Sequence, residues 1–230
     1  MKLVGIVGRA YYNRDNQKIM QVNEAIRKAL SSYDDVCSVV LLPTKEVDYV
    51  DLPMGLDEIS SVDREKLDYM LEKCDAFIVP GGTSWYCFDE YVIKYALEQQ
   101  KPILAICAGF QAVCSMDAKE RVAFDMTKHF SHDKHYGDSS QYIHSVLVVE
   151  KTLLKDIVGL DKFLVNSVHH DYVDFELNQW VVSAYSEDGV VEAVEFPDHV
   201  FALGVQWHPE YLRDEIAKKI FDCFIQKIKS

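Results

Sequence analysis

An α/β protein with a mostly parallel central sheet, covered by helices on both faces, is what the first half of this chain predicts. Continuous apolar runs at residues 3–7, 76–79 and 103–106 have the length and composition of strands buried on both faces. Between them lie longer segments whose apolar residues recur at helical spacing. Runs and helical segments alternate, and βαβα order builds a parallel sheet.

Taken in order, residues 3–7 open the chain as a buried strand. Residues 18–30 carry Ile19, Met20, Val22, Ala25, Ile26, Ala29 and Leu30 at helical spacing and predict a helix. Residues 36–42 are apolar and rich in β-branched side chains, a strand that ends at Pro43. Residues 62–73 predict a helix with Leu67, Met70 and Leu71 on one face. A strand at 76–79 is stopped by Pro80-Gly81-Gly82. A helix over 88–99, a strand over 103–106 and a helix-like segment over 110–116 follow. The second half changes character. Segments 145–149, 163–165, 180–185, 190–195 and 200–205 read as short strands, antiparallel in part, with Asp188-Gly189 as a hairpin-type turn. Residues 212–228 form an amphipathic helix. Residues 118–142 are mostly polar and lack a clear period. An irregular loop of that length in a compact domain is usually functional. It is expected as an active-site flap or insertion in a single domain spanning 1–230.

The 230 residues and 49% hydrophobic content suffice for one sizeable core. The net charge of -13 argues against a nucleic-acid backbone or an anionic membrane as partner. No apolar stretch approaches the ~18 residues of a membrane span. The apolar N-terminus lacks a signal-peptide cleavage region and reads as the first strand. Six scattered cysteines, with no Cys-x-x-Cys pair, favour reduced thiols and a cytoplasmic setting. A homodimer is compatible with this composition, and no cofactor is expected.

The chemistry centres on Cys107. The strand 103–106 ends at it, Ala108 and Gly109 follow, and a helix comes next. Strand, small residue, nucleophile, small residue, helix is the layout of a nucleophile elbow. The helix N-terminus then faces the sulfur and favours thiolate. Far downstream, Trp207-His208-Pro209-Glu210 offers a base. Only the fold can bring His208 to Cys107. An extended segment would put His208 and Glu210 on one side, where Glu210 could fix the imidazole tautomer. Gly81 and Gly82 end a strand; taken alone they are a plain turn, and beside Ala108 their N–H groups could stabilise an oxyanion. Cys74, Cys114 and Cys223 lie within helical patterns and read as buried structural thiols. His129, His132, Asp133 and His135 sit in the polar segment and are read as solvated rather than metal-binding, so no metal site is expected. His144 is open between facing the cleft and a structural role. Trp85, Tyr86 and Tyr91 could form an aromatic wall for a substrate, but aromatic residues at a helix start are more often packing. The residues alone reach a cysteine hydrolase or acyl transferase.

An ordered set of motifs carries a resemblance. Pro80-Gly-Gly, Ala-Ile-Cys107-Ala-Gly-x-Gln111, Val165-Asn-Ser-Val-His-His170, Asp188-Gly-Val-Val-Glu-Ala-Val-Glu195 and Gly204-Val-Gln-Trp-His-Pro-Glu210 occur in this order. Together they resemble the class I glutamine amidotransferase-like fold, a flavodoxin-like three-layer architecture. Within it they most resemble the γ-glutamyl-γ-aminobutyrate hydrolase family. The resemblance implies that Cys107 attacks the γ-carbonyl of a small γ-glutamyl amide, that His208 moves the protons and that Glu210 orients His208. It implies an oxyanion hole from N–H groups at Gly82 and Ala108, beside Gly81. It places Gln111 at the glutamyl end of the substrate, with Ser167 and one of His169 and His170 lining the pocket.

Some positions depart from that family. Ala105 stands where a glycine is usual, Ala108 where an arginine is frequent and Asp171 where a glutamine is frequent. Thr83-Ser-Trp-Tyr-Cys-Phe replaces an Asn-containing loop, and an Asn-Val segment with a Gly-Gly after the elbow is absent. These changes cluster where the amine half of the substrate would sit. Two other functional classes remain: a glutaminase subunit that passes ammonia to a separate synthetase, and a non-enzymatic γ-glutamyl-binding protein. The intact Cys107, His208 and Glu210 speak against the last.

Overall fold

The computed structural model describes residues 1–43, 59–118, 139–169, 171–173 and 176–229. In chain order, β1 (Lys2–Val7) is followed by β2 (Arg9–Tyr12), β3 (Lys18–Gln21), α1 (Glu24–Leu30) and β4 (Val36–Leu41). Next come α2 (Ser61–Lys73), β5 (Ala76–Val79), α3 (Cys87–Glu98), β6 (Ile103–Ile106) and α4 (Ala108–Asp117). The second half holds β7 (His144–Val148), α5 (Leu153–Val158), β8 (Lys162–Val165), β9 (Val181–Ser186) and β10 (Val191–Glu195). It closes with β11 (Ala202–Val205), α6 (Pro209–Leu212) and α7 (Glu215–Lys229).

Among the described residues, nine strands form one sheet in the order β4-β1-β5-β6-β11-β10-β9-β7-β8. From β4 to β11 every pairing is parallel, and from β11 to β8 every pairing is antiparallel. The α/β sheet with antiparallel strands from the second half is the expected one. Strand side chains alternate between faces. In β6, Leu104 and Ile106 join the layer of α1, α5 and α7, while Ile103 and Ala105 join that of α2, α3 and α4. Three layers result. Along α7, Ala217, Ile220, Phe221, Phe224, Ile225 and Ile228 form the buried stripe. Full burial of each large apolar side chain contributes ~1.5–3 kcal/mol.

The elements that position the site have local causes. Helix α4 presses onto β5 at Gly109, where any Cβ would overlap the Val79 carbonyl oxygen, so only glycine fits. Helix α5 starts at Thr152, whose hydroxyl accepts from Lys155 N–H at 3.2 Å. Glu195 at the end of β10 accepts from Leu153 and Leu154 N–H at 2.7 and 3.2 Å. That carboxylate therefore closes a helix N-terminus. Between β9 and β10, Gly189 has φ +88°, a left-handed turn conformation that favours glycine. β4 forms one edge of the sheet.

Three expectations need correction. The helix expected over 18–30 is a hairpin strand, β3, followed by a short helix. The β2–β3 turn is organised by Asn13, whose Oδ1 accepts from Asp15 and Gln17 N–H at 3.0 and 2.9 Å. Asn23 then caps α1, its Oδ1 accepting from Ala25 N–H at 2.8 Å. Ile19 and Met20 matched a helical period, yet neither is buried. The helix expected over 212–228 is broken: Arg213 takes φ +51°, and Asp214 restarts the helix by accepting from Ala217 N–H at 2.7 Å. Helix α5 was not expected, although Thr152 and Gly159, with φ +69°, mark its two ends. Of the flap expected at 118–142, residues 119–138 lie outside the described residues, and with them His129, His132, Asp133 and His135. Among the described residues, no helix is long and apolar enough to cross a membrane.

Candidate active site

In an open α/β sheet, ligands gather at the carboxyl ends of the strands. β6 and β11 are parallel neighbours with Ile106 paired to Val205. Both strands therefore finish at the same carboxyl end of the sheet, one running into Cys107 and the other toward His208. Cys107 N–H donates to Val205 O at 2.8 Å, and its carbonyl accepts from Gln111 N–H at 2.9 Å. Between these bonds Cys107 adopts φ +51° and ψ -106°. A non-glycine residue held there costs about 1–3 kcal/mol, the sort of strain found at functional sites. The elbow presents the sulfur at the N-terminus of α4, where helix N–H groups lack helical acceptors. Ala108 is the first residue of that helix.

His208 Nδ1 lies 2.8 Å from Glu210 Oε1. Glu210 is only 2% exposed. The expectation of one common side is met, but not by an extended segment. Pro209 is the first residue of α6, so the His208 to Glu210 stretch enters a helical turn. Asn166 holds the base from behind: His208 N–H donates to Asn166 Oδ1 at 2.8 Å, and Asn166 Nδ2 donates to His208 O at 2.9 Å. Burial works to lower the His208 pKa, but the negative charge of Glu210 and the thiolate form of Cys107 lift it well above the usual imidazole range. Cys107 acts on that ring both as a charge and as a hydrogen-bond partner.

The Pro80-Gly81-Gly82 segment is more than a turn. A Cβ on Gly81 would stand 2.5 Å from His208 Cε1 and 3.2 Å from Cys107 Cβ. The imidazole thus packs directly on the Gly81 backbone. Arg9, after β1, holds this segment: its guanidinium donates to the Pro80 carbonyl, to Gly81 O at 3.3 Å, and to Asp89 Oδ1. Asp89 also accepts from Tyr86 N–H at 3.0 Å, which ties α3 to the same clamp. Arg9 is 7% exposed and Asp89 0%.

One cavity of about 430 Å³ collects Gly81, Gly82, Cys107, Gln111, His169, His208 and Glu210 in its lining. Arg9, Tyr11, Tyr86, Asp171 and Tyr211 complete much of its wall. Gln111 Nε2 donates to Gln206 Oε1 at 3.2 Å, so its amide is fixed in place. Ser167 is buried and does not line the cavity. His170 lies outside the described residues. Trp85 is buried in the layer of α2, α3 and α4, and Tyr91 donates to Asp68 at 2.7 Å, so packing accounts for both. Tyr86 packs in that layer and also lines the cavity.

Sequence reasoning missed three residues here. Arg9 was hidden in a segment given no element, although a lone basic residue just past a buried strand was a signal. Asn166 was quoted within a motif and given no role, although a polar residue directly after the strand residue Val165 needs a buried partner. Glu192 was quoted within a motif and given no role. It is 0% exposed. Burial raises its pKa well above the usual carboxylate range, with the charges of Asp188 and Cys107 adding to the effect.

A cysteine at an elbow, an imidazole held by a carboxylate, and backbone N–H groups beside the sulfur can carry acyl transfer through a thioester. Known proteins agree with this class. The chain is 27% identical over 237 residues to a glutamine amidotransferase-like protein of Rickettsia prowazekii, RP404, covering 76% of this chain and 84% of that protein. It is 37% identical over 143 residues to the γ-glutamyl-γ-aminobutyrate hydrolase PuuD of Escherichia coli, covering 58% of this chain and 56% of that protein. The fold matches the glutaminase domain of Trypanosoma brucei CTPS, solved with bound acivicin, at a TM-score of 0.66 and 17% identity, over 100% of this chain and 94% of that one. The model of the family described as Peptidase C26 matches residues 87–210, more than half of the sequence. The chain therefore belongs to the Peptidase C26 family of glutamine amidotransferase-like, cysteine-dependent amidohydrolases.

Proposed function

We propose that this protein hydrolyses the γ-glutamyl amide bond of a small γ-glutamyl compound, releasing glutamate and an amine. The observation that carries the reading is the convergence of Cys107, His208, Glu210 and Gly82 on one cavity. The Cys107 sulfur attacks the γ-carbonyl carbon, and His208 Nε2 takes the thiol proton. Glu210 accepts from Nδ1–H and holds that tautomer. The carbonyl oxygen becomes an oxyanion facing the N–H groups of Gly82 and Ala108. The C–N bond breaks as His208 passes its proton to the leaving nitrogen. A water, deprotonated by His208, then attacks the thioester carbon; the C–S bond breaks and the thiol is restored. Gln111, His169 and Asp171 meet the glutamyl end in this reading. The identity to PuuD supports the γ-glutamyl assignment over its matched segment.

The test is glutamate release from glutamine, γ-glutamyl-γ-aminobutyrate, γ-glutamyl polyamines and γ-glutamyl dipeptides, with Cys107→Ser as control. Cys107-dependent release from one compound supports the reading and names the amine. Release from glutamine alone would point instead to an ammonia-delivering glutaminase. No release from any of them would refute the γ-glutamyl hydrolase assignment.

A further inference from the structure

Behind His169, which lines the cavity, three side chains from separate segments converge. His144 opens β7, Glu192 lies in β10 and His169 follows β8 through the Asn166-Ser167 segment. One ligand atom from each lies within 4.8 Å of the other two. His144 Nε2 is 3.6 Å and His169 Nε2 3.9 Å from Glu192 Oε1. The other nitrogen of each ring faces a carbonyl: His144 Nδ1 is 3.3 Å from Ser145 O, and His169 Nδ1 is 3.0 Å from Asp171 O. A carbonyl oxygen only accepts, so Nδ1 carries a proton in both rings, which makes Nε2 the nitrogen that would ligate a metal when the ring is neutral. Metal-ligating histidines are oriented in this way, with the distal N–H held by a backbone carbonyl. Glu192 is 0% exposed, and neither of its carboxylate oxygens has a hydrogen bond among the described residues. A buried carboxylate of this kind calls for a cation.

We propose that His144, His169 and Glu192 form a binding site for a divalent transition-metal ion, with Zn²⁺ as the best-suited occupant. Imidazole and carboxylate ligands match zinc chemistry. In a tetrahedral site with bonds of about 2.0–2.1 Å, neighbouring ligand atoms stand roughly 3.3 Å apart. The two Nε2–Oε1 distances need to close by only some tenths of an ångström. Three protein ligands leave a fourth position for water, and His169 already borders the cavity. The ion would tie β7, β10 and the 166–169 segment together, stabilising the folded chain by mass action. Cys107, His208 and Glu210 are not among its ligands; His169 is the one group it shares with the glutamyl end of the cavity.

The experiment uses the full chain carrying Cys107→Ser, because Cys107 and His208 together could also hold a metal. The protein is stripped with EDTA and titrated with Zn²⁺ by calorimetry and with Co²⁺ by visible absorption. One equivalent of Zn²⁺ is expected to bind and raise the melting temperature. Co²⁺ is expected to show the bands of a nitrogen and oxygen site without thiolate-to-metal charge transfer. Glu192→Gln and His144→Ala should each weaken Zn²⁺ binding at least about tenfold. Circular dichroism of the metal-free variants checks folding. If Glu192→Gln fails to fold, His144→Ala, at the half-buried position, decides alone. Absence of a bound equivalent, unchanged affinity in the folded variants, or a thiolate charge-transfer band would overturn the proposal.

Discussion

Replacing Gly81 by alanine tests the packing of the base against the Pro80-Gly-Gly segment. The new methyl carbon would stand 2.5 Å from His208 Cε1 and 3.3 Å from Nε2. Ordinary carbon contacts begin near ~3.5 Å, so the ring or the loop must give about 1 Å. The ring has little room to retreat. Glu210 holds its Nδ1 at 2.8 Å, and Asn166 holds its backbone at 2.8 and 2.9 Å. The loop is held in turn by Arg9 through the Pro80 and Gly81 carbonyls. A 1 Å misplacement of a catalytic group costs about 100-fold in rate, or ~2.7 kcal/mol. Overpacking adds about 1–3 kcal/mol of destabilisation. That corresponds to roughly 2–12 °C in melting temperature for a chain of this size. The assay is glutamate release, backed by a readout that needs no substrate: the rate of Cys107 alkylation by iodoacetamide, followed by mass spectrometry. Gly82→Ala is the control, because its Cβ would meet Arg9 side-chain atoms at 3.0 and 3.1 Å rather than the imidazole. Its loss should be clearly smaller. Full turnover and full alkylation in a folded Gly81→Ala protein would refute the placement of His208 as the base.

Four further outcomes follow from the same geometry. Cys107→Ser should abolish turnover while the melting temperature stays near wild type, since one atom changes at the elbow; substantial residual activity would remove Cys107 as nucleophile. Glu210→Gln should slow turnover by roughly 10²–10⁴-fold, less than Cys107→Ser, and wild-type rates would exclude the orienting role. The same variant carries a pH signature. Burial opposes charge on His208, yet Glu210 and Cys107 raise its pKa well above the usual value. A raised folded-state value stabilises fully below about pH 6.5, the unfolded value, and the stabilisation is lost as pH climbs through the raised one. Melting temperature measured from neutral to alkaline pH should therefore fall in wild type and fall less in Glu210→Gln; parallel profiles would contradict the pairing. Arg9→Met leaves Asp89, 0% exposed, without its cationic partner. A loss of about 3–5 kcal/mol is expected, or roughly 6–20 °C in a thermal melt. An unchanged melt would show that the clamp does not hold the fold.

How far the sequence alone reaches depends on whether a feature is coded within one segment. The runs at Ala76–Val79 and Ile103–Ile106 are legible because a strand buried on both faces must be apolar throughout. The elbow is legible because a strained cysteine between small residues is a local requirement, and Gly109 is glycine for want of any space above Val79. His208-Pro-Glu210 is legible because the orienting bond spans two residues. Where two local codes compete, reading fails: Ile19 and Met20 fit a helical period, but Asn13 and Asn23 hold their segment as a hairpin strand before a capped helix. What only the tertiary structure decided is pairing at a distance. The β6–β11 register that sets His208 beside Cys107, the Arg9 clamp on Pro80, Gly81 and Asp89, the Asn166 bonds to the His208 backbone, and the convergence of His144, His169 and Glu192 all join separate segments. A local pattern reports how each segment is buried; which segments become neighbours is set by the order and register of the strands that deliver them.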